Sequence, residues 1–406
     1  MGRMLNKAVE RLEFLGQISD NPRSLVRTYL SPANRQAAEC LLGWMAELGM
    51  KTEHLSDGTV RGVLPGPEPE AKPLLLGSHL DTVINAGKYD GALGLIAALA
   101  ALEELRDEGI QLPFPVHLLG FSDEEGVRFQ TTYLGSRGVT GQLDPATRNR
   151  LDAAGQSQAL VLATEGWHEG ASEIHYEHGN VRGYVEIHIE QGRILEECDE
   201  PACVVSGING QSRLLVTLTG RTEHAGTTSM ELRRDALTAA AEAILATEKL
   251  ARDQTGLVAT VGKIEVLPGG SNSIPGVTSF TLDFRHPVDA ERVRLLKALE
   301  DSVRKITASR QLELDWQLVQ ENDAVVCDAG LTADLCDALE RVTGSRRQLA
   351  SGAGHDGVAI SKVAPVGMIF VRCRAGLSHH PEEYASPADI GVGIRVLVEF
   401  LKSLPA

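Results

Sequence analysis

The chain has 406 residues, and its 39 basic and 55 acidic side chains give a net charge of −16. A chain longer than about 250–300 residues outgrows a single hydrophobic core, so we expect two domains. With 43% hydrophobic and 23% charged residues, the composition is typical of a folded globular protein. The negative charge and the aromatic content of only 4% argue against binding to nucleic acids or anionic membranes.

The apolar runs and the cysteines predict where the protein is located. The longest weakly polar run, residues 91–102, is shorter than the roughly 20 residues of a membrane span. The first residues carry several charges and lack the apolar segment of a secretory signal. The six cysteines are scattered without a C-x-x-C pair, which is typical of reduced thiols. We therefore expect a cytoplasmic protein without a structural zinc finger.

In the first half of the chain, short apolar strands alternate with a helix. Residues 74–78 and 116–122 are apolar runs of the kind found in buried strands, and the Ala- and Leu-rich residues 91–106 between them favour a helix. Residues 184–191 alternate polar and apolar side chains, which predicts a strand with one polar face. This alternation indicates an α/β sheet with helices on both faces.

The order of elements changes near residue 211. Strands are predicted at 214–219, 257–267, 278–285 and 312–319, and helices at 233–250 and 290–308. The resulting β-α-β-β-α-β order is that of a ferredoxin-like unit. The α/β pattern then resumes with a helix at 331–342, a strand at 366–371 and a helix at 387–401.

The fold class is therefore predicted to be α/β, with two domains. A mixed-sheet domain comprises residues 1–211 and 329–406, and a ferredoxin-like α+β domain of residues 212–328 is inserted into it.

Histidines and carboxylates occur on or just after the predicted strands, where α/β folds build their sites. Alone, each has an ordinary explanation, such as a core histidine, a solvated acidic turn or an exposed strand face. Together they supply the ligands that suit a two-metal hydrolase, and both readings remain open from the residues alone. These residues are His79 with Asp81 and Asp90, then Asp123, Glu124 and Glu125, then His188, and finally His379 and His380.

Several motifs resemble the metal-dependent amidase branch of the M20 metallopeptidase superfamily, and they follow one another through nearly the whole chain. The branch includes allantoate amidohydrolases and N-carbamoyl-L-amino acid hydrolases. The segments 86–91 and 121–130, together with 367–374, look most like the plant type of allantoate amidohydrolase. The motifs are His79-Leu-Asp-Thr, Asp90-Gly, Ser-Asp-Glu124-Glu125-Gly-Val-Arg-Phe, His188-Ile-Glu-Gln-Gly and Gly-Leu-Ser-His379.

The resemblance implies a site for two divalent ions, Zn²⁺ or Mn²⁺. It assigns His79 and His188 to one metal, Glu125 and His379 to the other, and Asp90 as the bridge. His379 is preferred to His380 because the family ligand directly follows a serine.

The same resemblance assigns the proton transfers. Glu124 becomes the general base, which takes a proton from the attacking water and returns it to the leaving nitrogen. Asp81 is expected to accept a hydrogen bond from the far ring nitrogen of His79 and so orient that ring.

The resemblance also implies residues that bind substrate. Arg285 is expected to hold a substrate carboxylate with its two-pronged guanidinium, and His224 to donate to the carbonyl oxygen. In relatives, the positions matching His224, Asn272 and Arg285 reach the active site of the second subunit, which implies a homodimer formed through the inserted lid and dimerisation domain. The full set assigned to substrate is Gln191, Arg213, His224, Asn272, Arg285, Gly354 and His355.

The implied function is hydrolysis of the ureido C–N bond of a small anionic substrate, with allantoate expected and N-carbamoyl-L-amino acids as the alternative. A dipeptidase or aminoacylase is less consistent with Arg285 and the His224-Ala-Gly-Thr-Thr segment. A non-catalytic metal-binding relative would not need Glu124 as a free base beside Glu125.

Overall fold

A computed structural model describes residues 2–68, 70–164, 167 and 171–405. The chain forms two compact units. The first comprises Met1–Ser206 and Val326–Ala406, and the second is Gly207–Val325. Within the described ranges, no helix combines the length and the apolar character that crossing a membrane requires.

The helices and strands are numbered in chain order. The strands are β1 (Lys51–His54), β2 (Val60–Leu64), β3 (Leu74–His79), β4 (Val116–Phe121), β5 (Gly183–Ile189), β6 (Ala202–Ile208), β7 (Gly210–Thr219), β8 (Glu223–His224), β9 (Val258–Leu267), β10 (Ser273–Ile274), β11 (Val277–His286), β12 (Glu313–Asn322), β13 (Val325–Val326), β14 (Gln348–Ser351) and β15 (Val366–Val371). The helices are α1 (Gly2–Leu15), α2 (Pro32–Glu47), α3 (Ala92–Asp107), α4 (Leu134–Val139), α5 (Gln158–Thr164), α6 (Ile194–Glu197), α7 (Ala236–Asp253), α8 (Asp289–Ser309), α9 (Ala329–Thr343), α10 (Gly357–Ile360) and α11 (Pro387–Ser403).

The first unit contains a mixed sheet in the order β1-β2-β4-β3-β5-β15-β6-β13, with β14 also paired to β6. Its four central strands, β4, β3, β5 and β15, are parallel to one another. The flanking strands β2 and β6 pair with β4 and β15 in antiparallel orientation. The predicted mixed α/β architecture is confirmed. Because the central strands are parallel, their carboxyl ends lie along one edge of the sheet.

The central strands are buried on both faces. All seven residues of β5 are buried, including Glu186 and His188, although the alternating sequence predicted a polar face. Helix α3 is also almost entirely buried, as its Ala- and Leu-rich sequence predicts. The polar side of β5 therefore does not face solvent, and its charged groups need partners inside the protein.

Apart from the short strands β8 and β10, which pair with each other, the second unit has the predicted β-α-β-β-α-β order. Its four long strands form an antiparallel sheet, β12-β7-β11-β9. Alternate residues of β7, such as Leu214, Val216 and Leu218, are buried, and they form a core with residues of α7 and α8. The period-2 pattern of β7 identified this strand because only one of its faces is covered.

Candidate metal centre

Five of the predicted metal ligands lie at the carboxyl ends of the central strands of the first unit. His79 is the last residue of β3, and His188 lies next to the end of β5. Asp90 precedes α3, Glu125 follows β4, and His379 lies in the loop after β15. Distant sequence segments thus meet at one edge of the sheet.

The Asp90 carboxylate lies at the centre of this group. Its Oδ1 is 3.4 Å from Nε2 of His79 and 3.1 Å from Nε2 of His188. Its Oδ2 is 3.2 Å from Nε2 of His379, which is also 3.3 Å from Oε1 of Glu125. The two oxygens of Asp90 therefore face two separate sets of ligand atoms, one with His79 and His188 and the other with Glu125 and His379.

The hydrogen bonds of Nδ1 in His79 and His188 decide which ring nitrogen carries the hydrogen. Nδ1 of His79 is 3.0 Å from the backbone oxygen of Asp81, and Nδ1 of His188 is 3.0 Å from the backbone oxygen of Ile189. A carbonyl oxygen can only accept, so each Nδ1 carries the hydrogen and each Nε2 of a neutral ring has a lone pair. The Gly91 amide donates to Nε2 of His188 at 3.3 Å, but both Nε2 lone pairs also face Oδ1 of Asp90. A nitrogen lone pair and a carboxylate oxygen repel each other unless a proton or a cation lies between them.

The pKa values of His79 and His379 are raised, which shows that positive charge is favoured at this site. Burial disfavours the charged form of His79, but its contacts with Asp81 and Asp90 raise its pKa well above the usual value. Hydrogen bonds to Asp90 and Glu125 raise the pKa of His379 to about 10. Imidazole nitrogens and carboxylates in this arrangement are suitable ligands for Zn²⁺ or Mn²⁺, which bind by displacing such protons. The residues present therefore fit a pair of divalent cations.

Local backbone geometry places these ligands. Gly91 has a φ of +67°, and a Cβ there would lie 2.5 Å from the backbone oxygen and ring of His79. Only glycine allows this close approach between Asp90 and the end of β3. His379 itself has a φ of 55°, in the left-handed region that L residues rarely adopt. His379 and the neighbouring His380 are both exposed, but Nδ1 of His380 accepts a hydrogen bond from the Glu382 amide.

Asp81 contacts both His79 and the loop after β4. The backbone oxygen of Asp81, not its carboxylate, is the nearer acceptor for Nδ1 of His79, because the carboxylate Oδ1 is 3.7 Å away. The carboxylate instead accepts hydrogen bonds from the backbone amides of Glu124 and Glu125, at 3.1 and 3.2 Å. Asp81 therefore fixes the loop that carries the predicted base and one predicted ligand.

Glu124 lies on the inner side of this loop. A carboxylate oxygen of Glu124 lies within 4.8 Å of ligand atoms of His79 and Glu125. Burial raises the pKa of Glu124 well above its usual value, His79 lowers it, and the Glu125 and Asp356 carboxylates raise it further. A carboxylate in such surroundings is a stronger base than one in water, as general base catalysis requires.

Of the predicted substrate residues, Gln191, Gly354 and His355 belong to the first unit. Gln191 donates from Nε2 to Oδ2 of Asp90 at 3.2 Å, while its buried Oε1 has no hydrogen-bond partner among the described residues. His355 is buried against His188, with ring centres 4.5 Å apart, and its Nε2 is 2.8 Å from Oγ of Ser351. A Cβ on Gly354 would lie 1.8 Å from the hydroxyl of Tyr133, so only glycine fits there. All three lie close to the centre or to residues that contact it.

The other predicted substrate residues belong to the second unit. His224 is exposed, and its short strand β8 pairs with β10, which places Ser273 opposite His224 and Asn272 next to that pair. Arg285 donates to both oxygens of Asp283, at 2.7 and 2.9 Å, and Arg213 donates to the same carboxylate at 3.1 Å. The two arginines are thus brought together by one aspartate.

The sequence analysis missed three buried acids near the centre. Glu383 accepts hydrogen bonds from the backbone amides of Tyr89 and Asp90. Glu186 accepts from Ser78 and Tyr184, and Asp356 accepts from Ser136. Glu186 has a signal in the sequence, since it shares the alternating pattern of His188. Asp356 ends the segment 351–356 and Glu383 ends the segment 378–383, in which His355 and His379 are among the residues given roles.

Comparisons with known proteins agree with one another. Residues 75–403 match Peptidase family M20/M25/M40. Allantoate deiminase of Arabidopsis thaliana is 39% identical, over 98% of this chain and 82% of the relative. An N-carbamoyl-L-amino acid amidohydrolase of Geobacillus stearothermophilus is 36% identical, over 96% of this chain and 95% of the relative. A crystal structure of an amidase of the hydantoinase/carbamoylase family from Burkholderia multivorans superposes with a TM-score of 0.92 at 31% identity, covering 98% of this chain and 97% of that one.

Proposed function

Because the chain belongs to the M20/M25/M40 family of peptidases, we propose that this hydrolase of C–N bonds is a two-metal allantoate amidohydrolase. The observation that carries the proposal is the Asp90 carboxylate between two sets of ligands, in a chain 39% identical to an allantoate deiminase over nearly its whole length. Water adds to a ureido carbon of allantoate, and the C–N bond to the terminal nitrogen breaks. Ammonia leaves, and the carbamate that remains loses carbon dioxide to give ureidoglycine.

The residues of the first unit divide the work. His79, His188 and Asp90 would hold one divalent ion, and Asp90, Glu125 and His379 the other. Two such ions lower the pKa of water toward neutrality and polarise the carbonyl group. Glu124 accepts the proton of the attacking water and delivers it to the leaving nitrogen. The Asp81 carboxylate accepts hydrogen bonds from the backbone amides of Glu124 and Glu125, which fixes the loop that carries the base and one ligand.

The second unit is proposed to act as a ferredoxin-like lid and dimerisation domain. Its β-α-β-β-α-β order and antiparallel sheet support the ferredoxin-like assignment. Arg285 would bind the carboxylate of the substrate, and His224 would donate to the carbonyl oxygen, with Arg213 and Asn272 beside them. A cationic pocket is needed because the net charge of −16 repels an anionic substrate. In the cytoplasmic homodimer we propose, these residues serve the second subunit's centre.

The second candidate is an N-carbamoyl-L-amino acid hydrolase. The relative from Geobacillus stearothermophilus, 36% identical over 96% of this chain, favours it as the alternative. Both substrates carry a ureido group and a carboxylate, so the same metal centre and Arg285 would serve either. The two candidates differ in what lies beside the carboxylate, a second ureido group or an amino-acid side chain.

Kinetics on a panel of substrates tests the proposal. The purified protein, loaded with Mn²⁺ or Zn²⁺, is assayed for ammonia release with allantoate, ureidoglycolate and several N-carbamoyl-L-amino acids. The highest kcat/KM is expected for allantoate. A preference for an N-carbamoyl-L-amino acid would replace allantoate with the alternative, and no turnover of any ureido acid would refute both.

A further inference from the structure

The buried carboxylate of Glu383 connects two segments that carry predicted metal ligands. Its Oε1 accepts hydrogen bonds from the backbone amides of Tyr89 and Asp90, at 2.8 and 3.0 Å. Its Oε2 lies 3.1 Å from the hydroxyl of Ser378, the residue before His379. One side chain therefore contacts the backbone of the bridging aspartate and the neighbour of a histidine ligand.

Ser378 and Gln191 extend this connection to the Asp90 carboxylate. The Ser378 hydroxyl is 3.0 Å from Oδ2 of Asp90, and Nε2 of Gln191 is 3.0 Å from that hydroxyl. The Asp90 oxygen that faces His379 is thus held by side chains that Glu383 helps to fix. The backbone and the carboxylate of Asp90 are therefore both held by one network of Glu383, Ser378 and Gln191.

Gly87 leaves the room that this arrangement needs. A Cβ on Gly87 would lie 2.3 Å from the Cβ and Cδ of Glu383 and 2.4 Å from its Oε1. Even the smallest side chain at residue 87 would have to push Glu383 away from the amides of Tyr89 and Asp90. The segment 87–90 is therefore fitted closely around the Glu383 carboxylate.

We propose that Glu383 is a positioning residue of the metal centre, which orients the bridging Asp90 relative to His379. The inference rests on the proposed two-metal function and adds a residue to it. Residues that orient a ligand alter metal affinity or activity by about 10–100-fold when they are lost. Because Glu383 acts through Asp90 and Ser378, its loss should weaken metal binding and lower kcat while KM for the substrate stays the same.

The test measures metal affinity by competition with a chelator, together with kcat and KM over a range of Mn²⁺ concentrations. Glu383→Ala is expected to bind Mn²⁺ about 10–100-fold more weakly than wild type and to regain kcat when Mn²⁺ is in large excess. Glu383→Gln keeps an oxygen that can accept from both amides and an amide that can donate to Ser378. It should therefore remain within about threefold of wild type in both measurements.

Two further variants complete the test. Gly87→Ala retains the Glu383 carboxylate but moves it, so this variant should also weaken Mn²⁺ binding, as Glu383→Ala does. If Glu383→Ala does not fold, the result for Gly87→Ala decides the test. Glu382→Ala is the matched control, because Glu382 is exposed and adjacent in sequence, and it should behave like wild type.

The inference is overturned if Gly87→Ala and any folded Glu383→Ala bind Mn²⁺ as wild type does, or if Glu383→Gln loses as much affinity as Glu383→Ala. In either case a wild-type protein that is active with two metals would leave the proposed function intact. A wild-type protein that is fully active without metal would instead refute the proposed function itself.

Discussion

The two groups of predicted site residues differ in how their charges are compensated. In the first unit, Asp90 is buried, and its Oδ1 faces the Nε2 atoms of His79 and His188, which carry lone pairs in the neutral rings. In the second unit, Arg285 already forms a two-pronged ion pair with Asp283, and His224 is exposed. The first group is complete only with added positive charge, whereas the second is electrostatically satisfied as it stands.

This difference in charge compensation determines which of the two groups indicates a ligand by its own geometry. The buried carboxylate of Asp90 indicates its own ligand, because uncompensated buried charge is costly. A partly exposed arginine with an acidic partner would look the same on any surface. Evidence for a substrate role of the second group must therefore come from experiments that change its charge.

Metal removal should have the largest effect. Exhaustive chelation is expected to abolish activity, since the ligands around Asp90 would then hold only protons, and added Mn²⁺ or Zn²⁺ should restore it. The measurement is ammonia release together with metal content by mass spectrometry. Full activity in a protein verified to contain no metal would contradict the statement that the ligands around Asp90 need a bound cation.

Exchange of the Glu124 carboxylate should have the next largest effect. Glu124→Gln keeps the shape of the side chain but cannot accept a proton, so kcat should fall by about 10²–10⁴ with metal content unchanged. Glu125→Gln is the matched variant, one residue away, and should instead lose one metal ion. If the two variants exchanged these properties, the roles of base and ligand would be reversed.

Loss of Arg285 tests the second group. Arg285→Ala is expected to weaken substrate binding by about 2–5 kcal/mol, the cost of removing one member of a desolvated charge pair, and to raise KM correspondingly. The metal content should not change. Arg294→Ala serves as a control, because Arg294 is exposed on α8 and pairs with Glu291 of the same helix. An unchanged KM in Arg285→Ala would remove this residue from the substrate site.

The same variant can reveal whether the second unit serves the other subunit. A mixture of His79→Ala and Arg285→Ala chains, allowed to exchange subunits, should recover activity in heterodimers that combine one intact metal centre with one intact arginine. Confirmed heterodimers without activity would mean that Arg285 does not act across subunits.

The smallest effect concerns His117, which is largely buried but lies outside the cluster. Burial, followed by the charge of Arg61, lowers the pKa of His117 to about 4. An unfolded histidine binds a proton near pH 6.5, so between pH 6.5 and 4 the unfolded chain holds more protons. The contribution of His117 to stability is therefore present above pH 6.5 and is lost as the pH falls toward 4.

Denaturant unfolding at several pH values measures this dependence. His117→Gln should flatten the loss of stability between pH 6.5 and 4, while His178→Gln, at an exposed position, should leave it unchanged. If the free energy of unfolding fell equally with pH in both variants, burial of His117 would not disfavour its protonation.

Much of the fold could be predicted from local patterns. The strand Val366–Val371 and the start of the helix Pro387–Ser403 agree with the sequence prediction to the residue. The burial of Glu186 could not be predicted, because alternation in β5 indicates two faces but does not tell whether a second layer covers the polar one. The hydrogen bonds that the Asp81 carboxylate accepts from the amides of Glu124 and Glu125 could not be predicted either, since they join segments about 40 residues apart.

Local patterns predict the residue types of the metal centre and their places at strand ends, because ligand chemistry and the period of a strand are local properties. The contacts of both Asp90 oxygens with histidines, and those of Glu383 with the amides of Tyr89 and Asp90, depend on the folded chain. Those contacts join residues that are about 100 to 300 positions apart. Their geometry depends on the parallel pairing of the central strands, which brings the carboxyl ends of distant segments to one edge of the sheet.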